Sequence, residues 1–480
     1  MSNEKANGNG DGGSASTANV VPEYVQNLGF FDLFCIAVGV IIGSGIMTMT
    51  TRAIGMTGRS VVLAFMMASV YVIATSIPTI LLTSCIRLIG GAYTQFSLFV
   101  SARLAGLWFA ISLTSQMGHN LYAMTFSTYF ADLVGRTGDN TFMRITSAIL
   151  VTAFYAVNFF GVDAMAKLQN AMTVLLLVTL AYFTIRGLPQ VDFANYFGGE
   201  GWMTGGSSGL FRAATLLVYS LTGGTSLMPY SPNAKNARRD VPLAAVISTL
   251  GVAVLYTCMG FVCAGVIPLD QIYYYTDAGV LVGRNLTVIC RAFMSNAEVA
   301  FFIIGGALMA AATTLNGVIG SVTRSAVMMS IDGWLPKGMA TIHPKYNTAW
   351  KWQIFYYCMT MMPIIFNLNI SQVTNVTLLG SYLSSFFNIA GLFKLPKMFP
   401  EQWERSMFKV PMSAFYPLMC FALAVAANNV YGMVRNADRF SLTINIGFIC
   451  VGTAYSLFWY STGKVKQNIS WVPAEFTKQA

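Results

Sequence analysis

The sequence predicts an all-α integral membrane protein with about twelve transmembrane helices, two of which are broken near their middle. Of its 480 residues, 55% are hydrophobic and 10% are charged, whereas a soluble domain carries about 25% charged residues. Glycine-rich sequences interrupt two otherwise apolar segments, at Gly43-Ser44-Gly45 and at Thr222-Gly223-Gly224-Thr225. Unwound backbone at bilayer depth is tolerated only where it lines a cavity or is covered by protein. We therefore expect a helical bundle with two irregular backbone segments inside it.

Twelve apolar segments are long enough to cross a bilayer, which takes about twenty residues per helix. They cover residues 33–51, 60–85, 93–130, 142–161, 168–187, 210–231, 242–267, 297–328, 350–368, 374–393, 411–433 and 441–461. The third and eighth segments exceed a single crossing. In each of them we expect either an extramembrane turn or a strongly tilted helix.

The two breaks fall in the first and sixth segments, which suggests a repeat of five helices. Because five is odd, the second copy would run in the inverted orientation, and two further helices would complete the bundle. In transporters built from such repeats, glycine-interrupted segments at matching positions mark the binding site. We predict a transporter domain over residues 29–462, a disordered cytoplasmic N-terminal tail over 1–28 that is rich in Gly, Ser and Asn, and a cytoplasmic C-terminal tail over 463–480.

The formal charge of +10 is explained by membrane topology, so we predict no nucleic-acid partner. With a cytoplasmic N-terminus, every lysine falls on the cytoplasmic side of the twelve predicted segments. Arginines divide less cleanly between the two sides. The lysine bias follows the rule that basic residues remain inside. We expect a multi-pass protein of the cell membrane, plasma or inner, with both termini in the cytoplasm.

The cysteine and histidine patterns predict no metal site, cofactor or catalytic group. Eight cysteines form no C-x-x-C pair, and the two histidines, His119 and His343, are far apart. His119 belongs to a polar cluster with Ser115, Gln116 and Asn120 in the third segment. Polar side chains at this depth usually face the bundle or a water-filled cavity. His119 is thus interpreted as a solvated or helix-bridging residue, with a proton carrier as the alternative.

Residues 39–47, GVIIGSGIM, resemble the first-helix signature G-x-I-I-G-S-G-I-F of the amino acid–polyamine–organocation transporters. Further segments are similar to that family in the same order: 90–93 (GGAY), 104–108 (LAGLW), 158–162 (NFFGV), 166–170 (AKLQN), 236–242 (NARRDVP), 315–317 (LNG), 321–324 (SVTR), 332–337 (DGWLPK) and 343–348 (HPKYNT). The resemblance covers about residues 30–350. It implies twelve helices with a five-plus-five inverted repeat, alternating access, and amino acids or related amines as substrates.

The resemblance also implies a site for a zwitterion at the two breaks. Free amides at a helix N-terminus suit a carboxylate, and free carbonyls at a helix C-terminus suit an ammonium group. The amides around Ser44, Gly45 and Ile46 and the Ser44 hydroxyl would bind the carboxylate, and the carbonyls of Ile41, Tyr219 and Thr222 would bind the amino group. The candidate substrate-binding residues are Ile41, Ser44, Gly45, Ile46, Tyr219, Thr222, Gly223 and Asn316.

Structural roles stand beside these functional ones. Gly43 and Gly45 would also permit close helix packing, since small residues are common at membrane helix interfaces. Tyr219 is either an aromatic gate or a core residue. Asn316 either contacts substrate or bonds a neighbouring helix.

Three departures from the family pattern concern coupling. Thr225 stands where many members carry a glutamate, Leu176 falls about where some carry a lysine, and Ala237 replaces a proline. Exchange of medium-to-large neutral amino acids is the simplest interpretation, because a charged substrate would want a partner charge in the pocket. A proton-coupled amino acid or amine symporter, a uniporter and a transport-defunct sensor are the alternatives. A homodimer or an accessory subunit is compatible with the sequence.

Overall fold

The computed structural model describes residues 26–197, 201–277, 279, 281–368, 370–408, 410–467 and 471–473. The predicted N-terminal tail lies outside the described residues as far as residue 25. Seven helical segments in the described part are long and apolar enough to cross a membrane: Phe30–Cys85, Asn140–Phe159, Val162–Gln190, Ala237–Gly265, Asn296–Ile331, Met412–Arg435 and Arg439–Ser461. The chain is therefore a multi-pass, all-α membrane protein, as the composition predicts.

Helices occupy the following ranges in the first half of the chain: α1 (Phe30–Ile41), α2 (Ser44–Thr57), α3 (Val61–Cys85), α4 (Gly91–Gln95), α5 (Leu107–Met117), α6 (His119–Leu133), α7 (Asn140–Phe159), α8 (Val162–Gly187), α9 (Ala194–Phe197) and α10 (Gly206–Leu221). The second half contains α11 (Ala237–Gly265), α12 (Thr287–Phe293), α13 (Asn296–Phe301), α14 (Met309–Ile331), α15 (Trp350–Ile365), α16 (Ile370–Leu392), α17 (Leu395–Met398), α18 (Pro400–Glu404), α19 (Met412–Asn436) and α20 (Arg439–Ser461). Each of the twelve predicted segments overlaps at least one of these helices.

Tighter and wider helical turns join several of these elements. The 3₁₀ segments are Gly58–Ser60, Leu188–Gln190, Gly224–Asn233, Leu269–Gln271 and Lys337–Ala340, and the π-helical segments are Phe96–Val100 and Phe302–Leu308. The long third segment includes a non-helical stretch at 101–106. The long eighth segment is continuous through α13, the second π-helical segment and α14. Its 36 residues span about 54 Å at 1.5 Å per residue, so this helix either tilts or projects beyond an apolar layer of about 30 Å.

Four short strands make two small sheets at opposite ends of the bundle. The strands β2 (Tyr273–Tyr275) and β3 (Leu281–Gly283) form an antiparallel hairpin that packs against α2. The strand β1 (Ile86–Leu88) pairs antiparallel with β4 (Trp471–Pro473) from the C-terminal tail. Near β1, Leu28 exchanges backbone hydrogen bonds with Asn233 and Lys235, at 3.0 and 2.9 Å. Both described ends of the chain are thus held at one end of the bundle, here called the tail end.

The interior of the bundle is formed by the broken helices and α14. Buried residues run through α1, α2 and nearly the whole of α14, whereas α19 and α20 expose large apolar side chains such as Phe421, Ile446 and Phe458. Exposed apolar side chains on peripheral helices suit a lipid environment. The irregular backbone of the breaks therefore lies where protein covers it, as unwound backbone at bilayer depth requires.

Candidate functional site

The first break separates α1 from α2 at Ile42 and Gly43. The chain leaves the helical conformation there, with ψ of 81° at Ile42 and of −154° at Gly43. Gly43 precedes α2 and has no side chain with which to cap it, so the amides of Ser44, Gly45 and Ile46 lack partners within their helix. Among the described residues, none of these three amides donates a capping bond. The N-terminus of α2 therefore has free amides of the kind that bind an anion.

A threonine that sequence reasoning missed stabilises the other side of this break. The Thr314 hydroxyl oxygen lies 2.8 Å from the carbonyl oxygen of Gly39 and 3.4 Å from that of Ile42. A Cβ on Gly43 would lie 2.7 Å from the same hydroxyl. Glycine at position 43 thus lets α14 approach the break. Thr314 precedes the predicted Asn316 by two positions, and its polarity within an apolar helix was the available signal.

The second break separates α10 from the 3₁₀ segment Gly224–Asn233. The Thr222 amide donates to the Tyr219 carbonyl at 3.3 Å, and the Thr222 hydroxyl donates to the Val218 carbonyl at 2.8 Å. Beyond the break, Pro229 and Pro232 have no backbone amide to donate, which disfavours a regular α-helix. The sixth predicted segment consequently continues as a tighter helix toward the tail end.

The two breaks contact each other reciprocally. A Cβ on Gly45 would lie 2.7 Å from the Cα of Ser220, and a Cβ on Gly223 would lie 2.8 Å from the backbone nitrogen of Ile41. Residues that follow each break therefore touch the helix that precedes the other break. Glycine is required at both positions because the opposing atoms belong to backbone. This arrangement brings Gly45 to α10 beside Tyr219, and Gly223 to Ile41, so that the predicted residues of the two breaks are neighbours.

Two buried hydroxyls at this junction lack a hydrogen-bond partner in the described part of the protein. They belong to Ser44, which is fully buried, and to Ser220, which is 2% exposed. Buried polar groups are nearly always paired, so an orphan calls for a ligand or ordered water. Together with the three uncapped amides, the two hydroxyls form a small polar surface suited to a carboxylate.

A cavity of about 280 Å³ lies beside the second break, with Tyr219 and Ser226 in its wall. It extends from the α5–α6 junction toward Ala92 and Ser325, and the Ser325 hydroxyl donates to the Gly90 carbonyl next to β1 at 2.7 Å. The cavity therefore reaches toward the tail end. Within the described lining there is no lysine, arginine, aspartate or glutamate.

The opposite side of the breaks is closed by tyrosines. The hydroxyls of Tyr122 on α6 and Tyr219 on α10 are 3.3 Å apart. Farther from the tail end, the Tyr129 hydroxyl donates to the Met47 carbonyl at 2.9 Å and accepts from the Leu286 amide at 3.3 Å. These bonds join α6 to α2 and to the segment preceding α12. The bundle is therefore closed on the side of the breaks away from the tail end, and it contains the cavity on the side toward the tail end.

The remaining predicted residues have other surroundings. Ile46 is fully buried in the apolar core, so only its backbone amide is a candidate for substrate binding. The Asn316 amide nitrogen donates to Gln169 at 2.8 Å, and its side-chain oxygen accepts from Asn158 at 3.0 Å. Asn316 thus bonds α14 to α7 and α8, which is the structural role considered for it. Of the eight predicted residues, Tyr219 is the one that the described cavity lining includes.

His119 lies in the cavity wall and is 7% exposed, with its Nδ1 unpartnered among the described residues. No group of three His, Cys, Asp or Glu side chains that could hold a metal occurs in the part of the chain that the structure describes. Helices that break at the middle of a membrane bundle, beside a cavity, are typical of transporters.

The comparison with protein families agrees with this class. A family model described as amino acid permease matches residues 28–454. The chain therefore belongs to the amino acid permeases of the amino acid–polyamine–organocation superfamily. The resemblance of its first-helix signature to that superfamily is confirmed.

Proteins similar to this chain are named for the transport of different substrates. The branched-chain amino acid permease BcaP of Bacillus subtilis is 24% identical over 70% of this chain and 74% of that protein. The methylthioribose transporter of Bacillus subtilis is 23% identical over 82% of this chain and 86% of that protein. The chloroplastic cationic amino acid transporter 9 of Arabidopsis thaliana is 25% identical over 67% of this chain and 58% of that protein. Membership in the family thus supports amino acid transport without selecting a substrate.

Proposed function

We propose that this protein exchanges neutral amino acids across a cell membrane by alternating access. The observation that carries the proposal is the polar surface at the junction of the breaks, where three uncapped amides and the Ser44 hydroxyl await an anion. A carboxylate there would gain charge-assisted hydrogen bonds, which are roughly twice as strong as neutral ones. Carbonyls at the C-terminal ends of α1 and α10 would receive the ammonium group.

The absence of charge in the described cavity lining supports a neutral substrate. A cationic or anionic side chain would enter a low-dielectric space without a partner, which is costly. Thr225, at the second break, likewise provides no carboxylate. Exchange is favoured because the described cavity lining has no carboxylate that a proton would neutralise during the return of the empty carrier. The alternative is proton symport through His119, which is supported by the position of His119 in the cavity wall.

We further propose twelve crossings with a five-plus-five inverted repeat, both termini in the cytoplasm. The reciprocal contacts Gly45–Ser220 and Gly223–Ile41 support the repeat, because a two-fold relation makes each partner present the same surface to the other. On this topology the tail end is cytoplasmic, and the cavity faces the cytoplasm.

Counterflow into proteoliposomes tests the proposed function. Vesicles are loaded with an unlabelled neutral amino acid, and entry of a labelled one is followed with and without the internal load. Exchange predicts that uptake requires the load and is unaffected by a pH gradient. Strong uptake into empty vesicles driven by protons would favour symport, and binding without counterflow would identify a sensor.

A further inference from the structure

We infer that the substrate carries an uncharged, hydrogen-bonding side chain, and that Gln116 and His119 recognise it. The inference rests on the proposed function, because it assumes that the α-amino and α-carboxylate groups sit at the breaks. It narrows the substrates to neutral amino acids with amide or hydroxyl side chains.

The cavity wall is polar although it lies between membrane helices. Twelve of its nineteen described lining residues carry a hydroxyl, an amide or an imidazole. Five of the ten hydroxyls need no ligand, because they donate to backbone carbonyls, as Ser112 does to Phe109 at 2.8 Å and Ser321 to Val318 at 2.9 Å. Hydroxyls bonded in this way are ordinary features of helices and do not select a substrate.

Gln116 and His119 differ from those hydroxyls. They are 3% and 7% exposed, and the Gln116 Oε1 and His119 Nδ1 atoms have no partner in the described structure. Three positions apart across the α5–α6 junction, where Gly118 keeps a helical backbone, they share one face of the third predicted segment. Leaving a buried polar group unpaired is costly. Both side chains line the cavity, so a ligand in the cavity is the partner that we infer for them.

This wall is held firmly in place. A Cβ on Gly118 would overlap the side chain of Thr377 on α16, and the Thr377 hydroxyl lies 3.2 Å from the Thr114 carbonyl. The close packing fixes α5 and α6 against α16. Gln116 and His119 therefore belong to a closely packed part of the cavity wall, which favours selectivity because little reorganisation is available to an ill-fitting ligand.

The wall also lies at a suitable position relative to the breaks. His119 is 6.4 Å from Tyr122 between ring centroids, and the Tyr122 hydroxyl meets that of Tyr219, three residues before Thr222. A zwitterion at the breaks would extend its side chain past Tyr219 toward this wall. A hydrocarbon side chain would leave Gln116 and His119 unpaired, and a charged one would find no counter-ion in the described lining. An amide or hydroxyl side chain can form hydrogen bonds with Gln116 and His119 and needs no counter-ion.

Matched substrate pairs test the inference in the counterflow assay. Threonine and valine have nearly the same shape, and glutamine and methionine have similar length, but only one member of each pair forms side-chain hydrogen bonds. We expect threonine and glutamine to inhibit labelled exchange at concentrations at least about tenfold lower than valine and methionine. Gln116→Met and His119→Phe should each reduce this ratio toward one. His343→Phe, the same exchange of rings in a loop outside the cavity, serves as control and should retain it.

Each possible result of the inhibition assay either supports or contradicts the inferred side-chain preference. Because the ratio compares substrates in one preparation, it does not depend on how well a variant folds, and the unmodified protein alone already gives a result. Equal or better inhibition by valine and methionine would overturn the inference while leaving exchange intact. A preference that both variants preserve would overturn the role of this wall. Absence of counterflow with any amino acid would reject the proposed function itself, and the inference with it.

Discussion

The Cα of Ser220 lies 2.7 Å from the position that a Cβ on Gly45 would occupy. The amides expected to bind a carboxylate are therefore also the point at which α2 touches α10. Any substitution of Gly45 changes helix packing together with binding. Ser44, whose hydroxyl is buried and unpartnered in the described structure, separates the two effects.

Ser44→Ala should weaken substrate binding without lowering thermal stability. The hydroxyl makes no bond that folding would lose, whereas a hydrogen bond to a charged group contributes about 1.5–3 kcal/mol, or roughly 10-fold to 150-fold in affinity. Equilibrium binding of labelled substrate and thermal unfolding in detergent measure the two quantities. Thr50→Val is the matched control, because the Thr50 hydroxyl donates to the Ile46 carbonyl on the same helix. Unchanged affinity in Ser44→Ala would contradict the carboxylate site.

Gly223→Ala should be more damaging than Gly224→Ala. The new Cβ at position 223 would lie 2.8 Å from the Ile41 nitrogen, which is backbone, whereas at position 224 it would lie 2.5 Å from the Thr249 hydroxyl. A side chain yields more easily than a helix, so we expect loss of transport and a lower melting temperature for the first variant and milder changes for the second. Adding Thr249→Ala should restore Gly224→Ala but not Gly223→Ala. Equal effects of the two single variants would argue against the contact between the breaks.

Thr314→Val should destabilise the fold by about 1–3 kcal/mol, because it removes the hydroxyl donor that lies 2.8 Å from the Gly39 carbonyl at the break. The same hydroxyl is also 3.1 Å from the Ala310 carbonyl of its own helix, so the bond across to α1 is what distinguishes it from its neighbour. The adjacent Thr313→Val gives a matched comparison, since the Thr313 hydroxyl bonds the Met309 and Ala310 carbonyls of its own helical run. Thermal unfolding of the two variants under the same conditions measures the difference. A Thr314 variant as stable as its neighbour would show that the break does not depend on this hydroxyl.

Replacing Tyr122 or Tyr219 with phenylalanine should weaken the closed side of the bundle. Their hydroxyls are 3.3 Å apart, so each single variant should remove the same bond, and the double variant should cost little more than either one. A double-mutant cycle on transport rate and thermal stability measures the coupling. We expect about 0.5–1.5 kcal/mol. Additive effects would mean that the two hydroxyls act independently.

Removing residues 468–480 should expose one edge of β1. The strand β4 supplies the backbone partners of residues 86–88, and its loss leaves a strand that is otherwise buried without them. Hydrogen–deuterium exchange of the peptide that contains β1 should accelerate in the truncated protein. Exchange in α20, which precedes the deletion, provides the internal reference, and unchanged protection at β1 would show that the pairing contributes nothing.

The sequence predicted the breaks to within a residue because their cause is local. Glycines in an apolar run weaken a helix wherever they stand, and Gly43 and Gly223 do so here. The role of Asn316 was left open because its partners Gln169 and Asn158 are distant in sequence. Thr314 and the pairing of β1 with β4 were missed for the same reason. The polarity of Thr314 in an apolar helix marked the position but not its partner on α1, and the three residues of β4 gave no local sign of pairing with β1.

The polar residues of the cavity wall were likewise only partly predicted from the sequence. The sequence grouped Ser115, Gln116, His119 and Asn120 as a polar cluster, but it gave no means of separating hydroxyls with backbone partners from side chains without one. The partners of each side chain become visible only in the structure, where Ser115 bonds the Ile111 carbonyl and Gln116 Oε1 has no partner among the described residues. The sequence thus predicted where the helices break, whereas the binding role of the residues at the breaks stays a prediction.

The reciprocal contact of the breaks also constrains how such a chain diversifies over time. Gly45 and Gly223 each face the backbone of the other broken helix, so a larger residue at either position is accommodated only if the opposing helix is displaced. A larger residue at one of these positions alone would therefore be unfavourable. In the described cavity wall, Gly118 is restricted by a side chain, that of Thr377, rather than by the backbone of another helix. Descendants of one ancestral carrier would thus keep glycine at positions 45 and 223 and change the residues that line the cavity. They would acquire new substrates without changing the packing of the broken helices.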